Sequence, residues 1–362
     1  MNKLPSLNGL RGISIIIVIL FHISRFNILV DQEIISRIPI FNGRFGVNVF
    51  FVISGFLITS LLLAEEERAG SISLKHFYIR RTLRIFPAYF FLLFVYFMLQ
   101  LLGYLHISGN SWLTALTYTK YLNYKDSFYT SHAWSLSIEE NFYLFWPVVF
   151  MTGNRTRKEV TAYIILVVPL IRLYAYYYPI KWLDEQSLFT RLDCIAMGCY
   201  IALYKKEILH KLSGYWNPLF YGSLALLFTV PWLSRLVSHT FLQLFFVLFG
   251  ELTGTIANLA IGIILMYSIY GPKNGWYALL NSRLLNYLGI LSYSLYLWQQ
   301  IFISKREWWV THFPQNILLI YLSAIFSYYV VERPFLRLKS NFSGKKMIVK
   351  GTTTAKASTV QL

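Results

Sequence analysis

The chain has 362 residues, of which 56% are hydrophobic, 18% aromatic and only 14% charged, and its mean hydropathy is +0.50. Soluble domains carry about 25% charged residues, so this composition excludes an ordinary water-soluble globule and points to a bilayer. The net charge of +17 has the sign of a nucleic-acid binder, but the Lys and Arg fall mostly in short loops between apolar runs. The aromatic residues sit inside those runs and form no stacking stripe among basic residues, which argues against a nucleic-acid partner.

The apolar runs predict an all-α, polytopic membrane helix bundle with about ten transmembrane helices. They lie at 9–26, 44–64, 84–104, 134–151, 159–178, 188–204, 215–233, 241–270, 284–304 and 314–332. In the fourth, Glu139, Glu140 and Asn141 interrupt the first turns, and the sixth and seventh are short enough to be tilted or re-entrant. Counted on alternate sides, 22 Lys and Arg fall on the side of the N-terminus and 9 on the other, while Arg25 and Arg172 lie within spans. That asymmetry predicts cytoplasmic termini and a multi-pass protein of the inner (plasma) membrane.

The N-terminus has the basic start of a signal peptide, Lys3 before an apolar run. It lacks a small-residue cleavage site, so the run is expected to be a retained first span. Residues 1–338 then form one transmembrane domain, followed by a short basic cytoplasmic tail, 339–362. Rich in Thr, Ser and Gly, that tail is expected to be disordered and to touch anionic lipid. No soluble catalytic domain is expected at either end. No internal repeat is visible, which weighs against a transporter built of two related halves.

Within the first span, Arg11 and His22 are eleven residues apart, three helical turns plus about 20°. Both therefore point the same way, roughly 16 Å apart along the axis. An imidazole placed near mid-bilayer is costly and marks a functional site; the alternative is a His that caps the helix or bonds a neighbouring carbonyl. Next, Phe50–Phe51–Val52–Ile53–Ser54–Gly55–Phe56–Leu57 sets small residues in a bulky span, as a close helix crossing needs. In His76–Phe77–Tyr78–Ile79–Arg80–Arg81–Thr82–Leu83–Arg84–Ile85–Phe86–Pro87, Arg81 and Arg84 share a helix face at the membrane surface. They can grip a phosphate-rich ligand, or simply anchor the span to anionic headgroups.

Further along, Ser131–His132–Ala133–Trp134–Ser135–Leu136–Ser137–Ile138–Glu139–Glu140–Asn141 brings two acids to the start of an apolar run. An acid entering the bundle needs a partner, and an imidazole N–H would serve; a solvated helix start is the other reading. Arg191 and Asp193 read as an ion pair or a ligand contact, and Cys194 and Cys199 as two small core residues. The run Leu288 to Gln300 carries Ser, Tyr and Gln suited to hydrogen bonds between helices. No metal-ligand cluster is evident.

Six stretches taken in order carry a resemblance. They are Asn8–Gly9–Leu10–Arg11–Gly12 with His22, Phe50–Phe51–Val52–Ile53–Ser54–Gly55–Phe56, and Arg80–Arg81–Thr82–Leu83–Arg84–Ile85–Phe86–Pro87. Trp134–Ser135–Leu136–Ser137–Ile138–Glu139, Ser292–Tyr293–Ser294–Leu295–Tyr296–Leu297–Trp298 and Val331–Glu332–Arg333–Pro334 follow. From Leu7 to about Pro334 the chain resembles the acyltransferase-3 family of integral membrane O-acyltransferases. The resemblance implies that Arg11 and His22 are that family's Arg-x10-His pair, with His22 catalytic, and that Arg81 and Arg84 are its Arg-x-x-Arg pair, associated with the acyl-CoA donor. Glu139 falls on the acidic position of the Trp-Ser-Leu motif, and Arg80 is expected as a secondary donor contact. The chain departs from the pattern at Gln299, where many members have His, and at Asn48, where many have an acid.

The expected reaction moves an acyl group, most simply acetyl, from acetyl-CoA to a hydroxyl of a carbohydrate or glycolipid such as O-antigen or exopolysaccharide. His22 would take the hydroxyl proton, Glu139 would orient its ring, and Arg11 would bind donor or developing charge. The competing reading is a membrane carrier or flippase for a lipid-linked sugar or a proton-coupled solute, with His22, Arg172 and the Glu139–Glu140 pair as a proton relay.

Overall fold

The computed structural model describes residues 4–26, 43–212, 214–237, 243–304, 308–339 and Phe342. Among them the secondary structure is entirely helical. The principal helices are α1 (Leu7–Phe26), α2 (Gly43–Ala69), α3 (Leu74–Leu101), α4 (Gly109–Leu116), α5 (Ala133–Met151) and α6 (Asn154–Tyr177). They continue as α7 (Leu188–Leu203), α8 (Lys205–Leu212), α9 (Trp216–Val237), α10 (Gln243–Tyr270), α11 (Gly275–Leu280), α12 (Arg283–Phe302) and α13 (Gln315–Phe326). A π-helical stretch, Ser327–Glu332, joins α13 to the last helix, α14 (Arg333–Lys339).

A helix lies on each of the ten apolar runs. Among the described residues, six helices meet the length and apolarity needed to cross a membrane: α1, α2, α3, α6, α10 and the continuous α13–α14. At 16 residues α7 rises only about 24 Å, short of a hydrocarbon core of about 30 Å. The cap residues are those backbone chemistry favours. Ser73, Ser108, Ser187 and Ser282 each accept an N–H of the first turn they precede, at α3, α4, α7 and α12. Large apolar side chains face outward, among them Leu144 on α5 and Leu166 and Leu170 on α6, 54%, 71% and 61% exposed. A row of this kind needs lipid as its solvent.

Two apolar cores share α1 and α2. One gathers Ile15, Phe51, Tyr89, Trp146 and Leu291; the other gathers Leu10, Phe56, Met197, Ala260 and Tyr267. α1 and α2 run antiparallel, with Gly43 against Phe21 and Gly46 against Ser14. The crossing expected at Ser54–Gly55 joins α2 to α7. A Cβ on Gly55 would stand 2.0 Å from the Ile195 carbonyl oxygen, and one on Gly198 would stand 2.1 Å from that of Val52. Only hydrogen at both positions lets these backbones touch. Cys194 and Cys199 on the same helix are free and buried, as core residues.

The polar residues of α12 bond across to neighbouring helices, as expected of that run. Tyr293 donates to the Ile85 carbonyl at 2.8 Å, and Gln300 Nε2 to that of Phe128 at 2.8 Å. The pairing expected of Arg191 and Asp193 takes a different form. Asp193, fully buried, pairs with Arg172 at 3.1 Å and accepts from Thr255 at 2.6 Å and Asn258 at 3.1 Å. Arg191 instead donates to Asn48 at 3.2 Å, and Asn48 to Asn258 at 3.3 Å. α6 brings Arg172 inside the bundle and supplies the carboxylate with a nearer cation. Of the tail expected at 339–362, Lys339 ends α14 and Phe342 is described, while 340–341 and 343–362 lie outside the described residues.

Candidate active site

A cavity of about 70 Å³ opens where α1, α2, α5 and α12 meet. Arg11 enters it from α1, Ser54 from α2, Ser135 and Glu139 from α5, and Ser292, Tyr293 and Tyr296 from α12, with Phe50 and Phe51 as apolar wall. Polar side chains reach it because small residues hold α1 close to α2 and α12; Gly12 backs onto the carbonyl of Leu285 and Gly289 onto that of Asn8. The volume admits a few water molecules or a small polar group.

Glu139 accepts from Ser54 Oγ at 2.9 Å. One turn later on α5, the Tyr143 ring stacks under the Arg81 guanidinium, 3.6 Å from centroid to carbon. Arg11 lies within Coulombic reach of Arg84, Glu139, Tyr143 and Glu332. Arg84 in turn faces Arg81, Glu332, Tyr143 and Tyr293. The centre is therefore a knot of three guanidinium groups from α1 and α3, set against carboxylates from α5 and the π-helical stretch. Among the described residues no hydrogen bond or ion pair engages the guanidinium of Arg11 or Arg84. Both side chains are partly exposed, so their guanidinium forks are open to an anion.

Arg80 differs from its two neighbours. Its Nη2 pairs with Glu65 at 2.6 Å and its Nη1 donates to the Phe342 carbonyl at 3.1 Å. It stands beside the knot with its fork already engaged.

His22 lies three turns along α1 from Arg11, roughly 16 Å by helical rise. Its Nδ1 is 2.9 Å from the Val18 carbonyl oxygen. A carbonyl only accepts, so Nδ1 carries the proton there and the lone pair of the neutral ring is on Nε2. The tautomer is set by the backbone and not by Glu139, whose side chain belongs to the level of Arg11. This corrects the expectation that Glu139 orients the imidazole; the turns between His22 and Arg11 separate them. The sequence pairs Glu139 with His22 and sets Arg81 and Arg84 apart at the cytoplasmic face; the structure instead groups Glu139 with Arg11, Arg81 and Arg84.

Three contributors escaped sequence reasoning. Glu332, 5% exposed, accepts from Ser294 Oγ and faces Arg11 and Arg84. Its signal was present, an acid at the end of the last apolar run, carried on a π turn of the kind that recurs at functional sites. Ser54 lay in the Phe50–Phe56 stretch, where its small size read as a helix crossing and not as a site, and Tyr143 offered no signal beyond helical spacing.

Around His132 lies a second polar group. The Tyr296 hydroxyl donates to the His132 carbonyl at 2.6 Å and receives from Ser135 at 2.6 Å. Gln299 is fully buried, and neither of its amide atoms meets a hydrogen-bond partner.

A helical membrane bundle with a guanidinium-rich polar centre is the class this defines. Residues 4–334 match the family model of the acyltransferase-3 domain, described as "Acyltransferase domain", and the chain belongs to that family. With its apolar helices it is a multi-pass membrane protein. It is 29% identical over 374 residues to a Staphylococcus aureus (strain COL) protein named "Putative O-acetyltransferase SACOL0978", covering 92% of this chain and 58% of the relative. It is 28% identical over 371 residues to "O-acetyltransferase OatA" of S. aureus (strain NCTC 8325 / PS 47), covering 91% and 57%. The chain thus spans a little over half the length of the curated relatives it matches. No solved structure matches it.

Proposed function

We propose that this chain is an integral membrane O-acyltransferase that moves acetyl from acetyl-CoA to a hydroxyl of a cell-surface carbohydrate or glycolipid. The observation that carries this reading is the knot of Arg11, Arg81 and Arg84, of which Arg11 lines the cavity. It sits in a chain whose family and named relatives are acyltransferases and O-acetyltransferases. A bilayer enzyme that uses a soluble, phosphate-rich donor needs such a cationic seat at one end and an apolar path from it.

In this reading ten crossings leave both termini cytoplasmic, in the plasma membrane. Arg81 and Arg84 hold the donor phosphates as charge-assisted pairs, with Arg80 beside them. The acyl-pantetheine arm runs along α1 toward His22. There Nε2 takes the proton of the attacking hydroxyl, and Nδ1–H, held by the Val18 carbonyl, keeps the ring in place. Arg11 and the Ser54-bound Glu139 lie along that path, where the guanidinium balances negative charge on the donor. The Arg172–Asp193 pair gives Arg172 a structural role, which leaves the carrier reading with less to rest on.

Mass spectrometry of surface glycans from cells with and without this protein tests the proposal. An O-acetyl mass increment that depends on the protein supports it. Identical glycans in both would refute it.

A further inference from the structure

The last helix brings a further cation to the guanidinium knot. α14 packs along α3 and ends at Lys339, whose half-buried ammonium lies within Coulombic reach of Arg84, Arg81, Arg80 and Arg11. Among the described residues no carboxylate pairs with it and no hydrogen bond engages it. Phe342 gives its carbonyl to Arg80 at 3.1 Å and its ring to His76, 6.3 Å between centroids. Arg80 in turn is tied by Glu65 to α2. Arg81 Nε is buried without a hydrogen-bond partner in the same cluster.

Four guanidinium groups and an ammonium crowd together, and the four carboxylates within reach leave positive charge in excess. Glu65 pairs with Arg80, Glu139 faces Arg81 and Arg11, Glu140 faces Arg81, and Glu332 faces Arg84 and Arg11. Helix packing alone gives no reason to drive a lysine into this company, since a side chain of that length could extend into water. A multiply charged phosphate removes the repulsion and supplies a partner to each group.

We infer that Lys339 and the segment that carries it complete a polyphosphate clamp with Arg81 and Arg84, closing on the phosphate-rich end of the donor. The inference rests on the acyl-CoA reading for the identity of the donor, but not for the clamp. A residue from the C-terminal helix would thus share one ligand with the start of α3, about 255 positions earlier, so the ligand staples the two together.

The probe is adenosine 3′,5′-bisphosphate, titrated against the purified protein in nanodiscs of phosphatidylcholine alone and of phosphatidylcholine with phosphatidylglycerol. Lys339→Gln should weaken its binding about tenfold, the size of one lost charge-assisted contact, while Lys339→Arg keeps most of it. Equal affinity in wild type and Lys339→Gln overturns the clamp. So does a wild type that ignores the bisphosphate but gathers phosphatidylglycerol through Lys339, which makes the site a headgroup anchor. Lysine footprinting on the wild type avoids any folding defect of the variant. Bound bisphosphate should protect Lys339 from amine acylation and leave the exposed Lys206 on α8 unchanged, and an unprotected Lys339 overturns the proposal. Bisphosphate binding that depends on Lys339 in a protein that never consumes acetyl-CoA would keep the clamp and sink the donor reading.

Discussion

Replacing Asp193 with Ala removes a carboxylate that is fully buried and bonded three ways, to Arg172, Thr255 and Asn258. The guanidinium left behind still donates to the Thr190 carbonyl at 3.3 Å and to the Thr255 hydroxyl. Breaking a buried pair by deleting one partner costs about 3–5 kcal/mol, because a charge stays behind in low dielectric. The two remaining contacts place this site near the lower end, about 3 kcal/mol, or roughly a hundredfold in the folding equilibrium. Thr255→Val removes one donor to the carboxylate and one acceptor from Arg172, so it should cost about 1 kcal/mol, two hydrogen bonds between membrane helices at about 0.6 kcal/mol each. Arg172→Met with Asp193→Leu deletes both charges and should recover most of the loss, to within about 1 kcal/mol of wild type. Reversible unfolding in mixed micelles by titration with sodium dodecyl sulfate measures all three. Asp193→Ala costing no more than Thr255→Val would refute the reasoning, and so would a double variant as damaged as the single.

The crossing of α2 and α7 predicts that Gly55→Val fails to give a monodisperse folded protein, since its Cβ would stand 2.0 Å from the Ile195 carbonyl oxygen; size-exclusion chromatography in detergent checks this. Lys120, in the loop before α5, is fully buried and donates to Ser111 at 2.8 Å and Asn123 at 3.1 Å. Burial lowers its pKa from 10.5 to about 8. Between those values the unfolded chain binds a proton that the folded chain does not, so stability should rise from about pH 8 to about pH 10.5. Unfolding at pH 8 and pH 10 should show that rise in wild type and a smaller one in Lys120→Met. Equal rises would contradict it. Arg81→Gln with Arg84→Gln should weaken donor binding by tenfold or more, read by equilibrium dialysis of labelled acetyl-CoA, while His22→Ala leaves that affinity nearly unchanged.

Much of the frame was legible because apolarity is a local property. Each of the ten runs carries a helix, and Gly55 with Ser54 marked a close crossing before its partner α7 was known. Arg81 and Arg84 were legible for the same reason, since helical spacing puts them on one face. What the chain concealed are partnerships across long separations. Arg172 reads as a stray charge until α7 brings Asp193 to it, and Asn48 reads as a departure until Arg191 and Asn258 are seen on either side. Glu139 has no local feature that chooses between His22 and the level of Arg11; the packing of α5 against α2 decides, through Ser54. Glu332 and Lys339 join residues near the N-terminus only through the folded bundle.

The central claim is that His22 takes a proton from a hydroxyl while the arginine knot holds the donor. The most direct test reconstitutes wild type and His22→Ala in proteoliposomes with acetyl-CoA labelled in its acetyl group and a surface-glycan acceptor. Transfer is counted on the glycan alongside bound donor. The account predicts label on the glycan with wild type, none with His22→Ala, and equal donor binding in both. Transfer by His22→Ala at the wild-type rate, or wild type that binds no acetyl-CoA, would contradict it.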